Sequence, residues 1–140
     1  MELFVNIKQI GSKKQPAAVP FSVEGSPRTA GELIEETVKV CVREYNERVR
    51  RGDSSPQPLT KQQIKDMADA GKIAFGINYG GREQDVSKAI ENALQAFEDG
   101  IFKLFVNGRE LCSADEVTDL KDGDVLTFIR LTLLAGSHFY

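Results

Sequence analysis

The dipeptide Asn107-Gly108 lies between two short runs of alternating apolar character, IFKLFV before it and REL after it. An Asn-Gly pair favours a two-residue type I′ turn, because both central positions of that turn need a positive φ. The spacing therefore predicts a hairpin in which a strand beginning near residue 101 pairs with its own continuation. A chain with this hairpin contains a β-sheet, and the apolar face of that sheet needs a covering layer.

A long amphipathic helix can supply this layer. Thr29 and Glu32 form a capping box, and apolar side chains then repeat at helical spacing as far as about residue 50. The apolar stripe consists of Ile34, Val38, Cys41, Tyr45 and Val49. The stretch RRGDSSPQP follows, and its basic pair and its Gly, Ser and Pro residues predict the end of the helix.

Three further strands are predicted. Residues 2–9 alternate in polarity as a half-buried strand does, with Leu3 on one face and Phe4 on the other. Residues 17–23 form a second strand, which Pro20 places at an edge of the sheet. The run VLTFIRLTLLAG, residues 125–136, forms the last strand.

The segment between the long helix and the hairpin has two helical signals. A capping box at Thr60 opens a short helix that we expect to end at Gly71, and KIAFGINYGG after it indicates a short strand or turn. Asp85 caps a third helix, which Gly100 closes. The apolar stripe of this third helix consists of Val86, Ile90, Ala93, Leu94 and Phe97.

Composition and charge exclude several classes of function. The net charge is −3, and basic residues form no stripe of the kind that binds nucleic acid. The apolar runs at 101–106 and 125–135 are too short to span a bilayer as helices, and the N-terminal sequence is not a targeting signal. We therefore expect a cytoplasmic protein that binds neither nucleic acid nor membrane. Cys41 and Cys112 lack metal or disulfide spacing, and we expect both to be reduced.

No catalytic or metal-binding pattern emerges from the titratable residues. An acidic cluster near the C-terminus lacks the spacing of a calcium loop and is interpreted as a solvated loop. It consists of Asp115, Glu116, Asp119, Asp122 and Asp124. His138 is the only histidine and lies at the end of the chain, where no target is held within its reach. We expect no enzymatic activity, no cofactor and no metal.

The order strand, strand, capped helix, hairpin and final strand is that of the β-grasp. KLFVNGREL followed by DLKDGDVLTFIRLTLLAG resembles the C-terminal half of ubiquitin-like proteins, especially the sulfur carriers of molybdopterin and thiamine synthesis. In those carriers a VN-containing hairpin precedes a D-G-D-x-V-x-F stretch. The positions that match this stretch are Asp122, Gly123, Asp124, Leu126 and Phe128. The resemblance is good over 101–136 and is limited to element order and capping over 1–50.

The resemblance implies an α+β fold, a ubiquitin-like β-grasp whose mixed sheet packs on one main helix. The chain is then a single domain. Residues 1–51 supply a hairpin and the main helix, 52–100 a helical insertion, 101–136 the C-terminal strands and 137–140 a tail.

Alternation along the strands also predicts an apolar patch. If Leu126 points at the main helix, the neighbouring positions of the last strand point to the opposite face of the sheet. We expect four apolar side chains to lie side by side on that face: Phe4, Phe105, Ile129 and Leu131. Either the inserted helices cover this patch, or it binds a partner protein, as the outward positions of the same strands do in ubiquitin.

Two functions remain open. The first is a non-catalytic ubiquitin-like module that binds another protein through its sheet face or its helical insertion. The second follows from the resemblance, since modifiers and sulfur carriers end in a glycine whose carboxylate is activated. Here Gly136 precedes SHFY, so a protease would have to remove the last four residues before an activating enzyme could use Gly136.

Overall fold

The computed structural model describes residues 1–9, 18–52, 67–75 and 84–131. These residues form five strands and three helices. In chain order they are β1 (Glu2–Gln9), β2 (Val19–Ser22), α1 (Ala30–Arg50), α2 (Met67–Phe75), α3 (Val86–Glu98), β3 (Phe102–Val106), β4 (Arg109–Leu111) and β5 (Val125–Arg130).

The strands form one mixed sheet in the order β2-β1-β5-β3-β4. β1 and β5 pair in parallel, whereas the other neighbours pair antiparallel. The predicted α+β class is confirmed, and the arrangement is compatible with a β-grasp. Pro20 lies in β2 at the sheet edge, as its missing N–H requires.

The pairing register places the core on one face of the sheet. Val5 lies opposite Leu126, and Phe128 lies between Ile7 and Leu104. All five side chains are buried. Burial of each side chain of this size contributes about 1.5–3 kcal/mol, so this face, called the inner face below, is the main source of stability.

The long helix α1 has the predicted bounds and packs its apolar stripe into this core. Its stripe is buried from Ile34 to Tyr45, and Val49 is partly buried against the core. Thr29 caps the helix as expected, because its Oγ1 accepts a hydrogen bond from the backbone N–H of Glu32 at 3.2 Å. In the first turn of α1, the backbone N–H groups of Ala30 and Gly31 donate hydrogen bonds to backbone carbonyls of the loop between β4 and β5. These N–H groups have no partner within the helix.

The helices α2 and α3, which lie in the segment 52–100 that we predict to be an insertion, extend the same core. The ring of Phe75 in α2 lies edge-on to Phe102 and Phe128, with centroids 5.2 and 5.0 Å apart. The ring of Phe97 in α3 lies 5.6 Å from that of Phe102. Both helices therefore cover the inner face beside α1. The interpretation that the inserted helices cover the opposite face is wrong for α2 and α3.

The bounds of α2 differ from those that the sequence predicts. The expected start at Thr60 lies outside the described residues, and the expected end at Gly71 is wrong because the helix continues to Phe75. Gly71 is buried inside the helix. A helical glycine costs about 1 kcal/mol relative to alanine, which is less than burial of the aromatic ring at the helix end contributes.

The third helix has the predicted cap and end, but Val86 of the predicted apolar stripe is 37% exposed. The carboxylate of Asp85 accepts a hydrogen bond from the N–H of Ser87 at 2.9 Å, which caps the start of α3. Gly100 follows the helix with φ +74°, a conformation that favours glycine. In the described ranges of the chain, no helix is both long and apolar enough to cross a membrane.

Two polar side chains of α1 fix the inserted helices. Glu44 Oε2 accepts from the N–H of Met67 at 3.0 Å, where a negative charge stabilises the start of α2. The side chain of Asn46 donates to the carbonyl of Gln84 at 3.2 Å and accepts from its N–H at 2.7 Å. This double hydrogen bond joins α1 to the residue before the α3 cap.

Replacing Asn46 with Ala should lower the free energy of unfolding by about 1–3 kcal/mol, because it removes both of these partly buried hydrogen bonds. Glu47→Ala, at an exposed position of the same helix, is the matched control and should change the value by less than about 0.5 kcal/mol. Urea unfolding measures both values. Wild-type stability of Asn46→Ala would show that the double hydrogen bond does not stabilise the insertion.

Candidate interaction surface

The face of the sheet opposite α1, called the outer face below, contains Phe4, Phe105 and Ile129, three of the four apolar residues that the sequence predicts. Phe4 has 39% of its surface exposed, and Phe105 and Ile129 are half-buried. Leu131 is also half-buried and follows the end of β5, where its N–H donates to the carbonyl of Ile101 at 2.8 Å.

The register shows that these residues do not form one continuous apolar patch. Phe4 lies opposite Val125 at one end of the sheet. In the middle, Phe105 lies opposite Thr127 on one side and Glu110 on the other. The expectation that the four side chains lie side by side is therefore wrong. The parallel register of β1 with β5 separates Phe4 from the apolar end of β5.

Lysines flank the apolar residue at the other end of the outer face. Ile129 lies opposite Lys8 of β1 and opposite Lys103 of β3, and both lysines are exposed. We call these three residues the Lys-Ile-Lys row. Neighbouring strands lie about 4.8 Å apart, so the aliphatic stems of both lysines can lie against Ile129 while their ammonium groups reach water.

One ion pair borders this row. Lys103 Nζ lies 3.8 Å from Glu110 Oε2, and the two side chains are 49% and 38% exposed. An exposed pair at this distance contributes at most about 1 kcal/mol. Lys103 can therefore exchange this carboxylate for another at little cost.

Phe4 belongs to a separate shallow groove at the β2 edge of the sheet. The groove has a volume of about 160 Å³. It is lined by Glu2, Leu3, Phe4, Pro20, Phe21 and Ser22. Pro20 leaves this edge strand without one backbone donor, which limits pairing with an added strand.

The carboxylates of the acidic cluster accept hydrogen bonds from backbone N–H groups of their own segment and of β1. Asp122 Oδ1 accepts from the N–H of Glu2 at 3.0 Å, and Asp124 Oδ2 accepts from the N–H of Lys121 at 2.9 Å. Glu116 accepts from the N–H of Cys112 at 2.8 Å. Among the residues that the structure describes, no group of His, Cys, Asp or Glu could bind a metal ion. Through the hydrogen bond between Asp122 and Glu2, the D-G-D stretch holds the start of β1.

Arg130 is a residue whose environment the sequence analysis missed. Alternation along β5 turns its side chain to the inner face, where its Nη1 lies 3.5 Å from the carbonyl oxygen of Ala74, near the end of α2. A positive charge near the last carbonyls of a helix stabilises the helix, because it interacts with the negative end of the helix dipole. Desolvation by burial lowers the pKa of Arg130 below its usual range.

The remaining predicted residues divide between the core, the surface and the undescribed segments. Cys41 is buried in α1 and Cys112 is exposed, and neither forms a disulfide. Gly136 and His138 lie outside the described residues, so the predicted attachment at Gly136 stays a prediction.

No protein-family model, no curated protein and no solved structure matches this chain. The resemblance to ubiquitin-like proteins and sulfur carriers therefore stays a prediction.

Proposed function

We propose that this chain is a non-catalytic, ubiquitin-like protein-interaction module that binds a partner protein through the outer face of its sheet. The observation that supports this proposal is the one-sided packing of the described helices. α2 and α3 join α1 on the inner face, and Ile129, Phe105 and Phe4 on the outer face keep accessible apolar surface. Phe105 and Ile129 are diagonal neighbours across β3 and β5, and a partly exposed apolar pair of this kind can bind a partner.

The strand order supports the fold on which this proposal rests. A central parallel pair, β1 and β5, with β3 beside β5 and a long helix across the inner face is the arrangement of a β-grasp. The described parts of the insertion supply core side chains such as Phe75. This role favours the sheet face over the insertion as the binding element.

Photo-crosslinking tests the proposal in the cells that produce the protein. A photoreactive benzoylphenylalanine in place of Phe105 is expected to form a specific adduct with a partner protein. The same probe in place of Lys39, on the exposed side of α1, is the matched control and should form none. Adducts from both positions, or from Lys39 alone, would contradict binding through the outer face.

Ile129→Asp should reduce the adduct formed from position 105 by about tenfold or more, because an apolar contact is replaced by a charge. The fold should survive, since the new carboxylate would lie between Lys8 and Lys103. Val86→Asp is the matched control, because Val86 is 37% exposed and lies on α3. Circular dichroism must show both variants folded; unfolding of Ile129→Asp would place Ile129 in the core and contradict the proposal.

A second candidate function is a modifier or sulfur carrier that acts through Gly136. The observation that favours it is the position of β5, which lies in the centre of the sheet and ends six residues before Gly136. Intact mass of the protein from its native cells distinguishes the two functions. The interaction module predicts a chain that keeps the residues after Gly136 and is unchanged by an activating enzyme with ATP. A chain that ends at Gly136 would favour the carrier.

A further inference from the structure

We infer that the outer face selects an acidic segment of the partner, in which one apolar side chain lies between two carboxylates. This inference rests on the proposed function, because it names the chemistry of the partner that the same face would bind. It follows from the Lys-Ile-Lys row rather than from the four apolar residues that the sequence predicts.

The row presents two positive charges with an apolar residue between them. Lys8, Ile129 and Lys103 belong to three adjacent strands and share one face in register. At a strand spacing of about 4.8 Å, the two lysine Cα atoms are about 10 Å apart. A ligand that contacts Ile129 therefore meets an ammonium group on each side.

The charges around the row favour an acidic ligand. Among the described residues, the one carboxylate in an ion pair with this row is that of Glu110, at 3.8 Å from Lys103, and none pairs with Lys8. In the described strands the other acidic residue of the outer face is Glu2, which lies at the opposite end of β1. A ligand with an apolar group between two anions complements this row. Its apolar group contacts Ile129, and each anion pairs with a lysine ammonium group when water leaves the contact.

The spacing of the row fits an extended segment that crosses the strands. Side chains of an extended chain point to the same side at every second residue, about 7 Å apart. The pattern acid, any residue, apolar, any residue, acid therefore presents three side chains to the row over about 13 Å. The peptide side chains thus extend over about 13 Å, whereas the lysine Cα atoms are about 10 Å apart. The lysine side chains are long and flexible enough to reach across this difference.

Peptide titration of the isotope-labelled full chain tests the inference. The probes are three peptides, SESISES, SQSISQS and SKSISKS, which differ only in the two residues that lie two positions before and two positions after isoleucine. The glutamate peptide should shift the amide signals of Lys8, Ile129 and Lys103, with a Kd about tenfold lower than that of the lysine peptide, as two exposed ion pairs would give. Raising the ionic strength should remove this difference.

The double variant Lys8→Glu/Lys103→Glu should invert the preference, so that the lysine peptide binds more tightly than the glutamate peptide. Lys39→Glu/Lys88→Glu is the control, since it makes the same charge change on α1 and α3 and should leave the preference unaltered. If the first variant does not fold, Lys8→Gln/Lys103→Gln replaces it and should bind the three peptides equally.

The possible failures are distinguishable. If the glutamine or lysine peptide shifts the same amides as strongly as the glutamate peptide, acidic selectivity is overturned while binding at the outer face stands. If no peptide shifts these amides, the inference is also overturned, and the lysines only protect an apolar position against aggregation. Crosslinking from position 105 then decides the proposed function independently.

Discussion

Replacing Phe75 with Ala is expected to lower the free energy of unfolding by about 3–5 kcal/mol, the usual range for a buried phenylalanine. Its ring is buried and packs edge-on against Phe102 and Phe128, so its loss leaves a cavity between α2 and the sheet. Edge-on pairs of this kind add about 0.5–1.5 kcal/mol beyond burial. The effect is large because α2 covers the inner face of the sheet.

Chemical denaturation at equilibrium measures this loss, with Phe4→Ala as the matched control. Phe4 is 39% exposed on the outer face, and its truncation should change the free energy of unfolding by less than about 1 kcal/mol. A change below about 1 kcal/mol for Phe75→Ala would contradict the packing of α2 as part of the core.

Replacing Asn107 with Val should cost about 1.5–3.5 kcal/mol, because two separate effects add. Asn107 has φ +50°, and this left-handed conformation costs a residue with a branched Cβ about 1–2 kcal/mol. The side-chain Oδ1 of Asn107 also accepts a hydrogen bond from the N–H of Val125 at 2.9 Å. Loss of such a hydrogen bond costs about 0.5–1.5 kcal/mol. The variant therefore weakens both the turn and its attachment to β5.

Asn107→Gly separates the two effects. Glycine adopts a positive φ without strain, so this variant loses only the side-chain hydrogen bond and should cost about 1 kcal/mol. Thermal unfolding of the three proteins measures the difference, and amide exchange at Val125 reports the lost hydrogen bond directly. Equal stabilities of Asn107→Gly and Asn107→Val would show that the turn imposes no strain.

Short-range signals in the sequence predict several elements correctly. Asn107-Gly108 forms the predicted hairpin with positive φ at both residues. Thr29 and Asp85 cap the helices that they were expected to start, with the predicted end of α1 at Arg50. In each case the deciding interactions, a φ preference or a capping hydrogen bond, involve residues within a few positions of each other.

The insertion could be predicted only in part. Its helical stripes are visible in the sequence, but the continuation of α2 past Gly71 depends on the contact of Phe75 with strands that follow it by more than twenty residues. The stripe of α3 does not say which face of the sheet it covers, because an apolar stripe can pack on either one. Packing on the inner face therefore follows from the tertiary structure alone.

The candidate surface could also be predicted only in part from the sequence. Alternation by itself placed Phe4, Phe105 and Ile129 on the outer face, since successive side chains of a strand point to opposite faces. The lysines on either side of Ile129 depend on the register of three strands that are distant in sequence. The sequence determined local conformation and the face of each strand residue, because both depend on near neighbours. Only the tertiary structure decided which residues meet across strands, because register depends on the packing of the whole core.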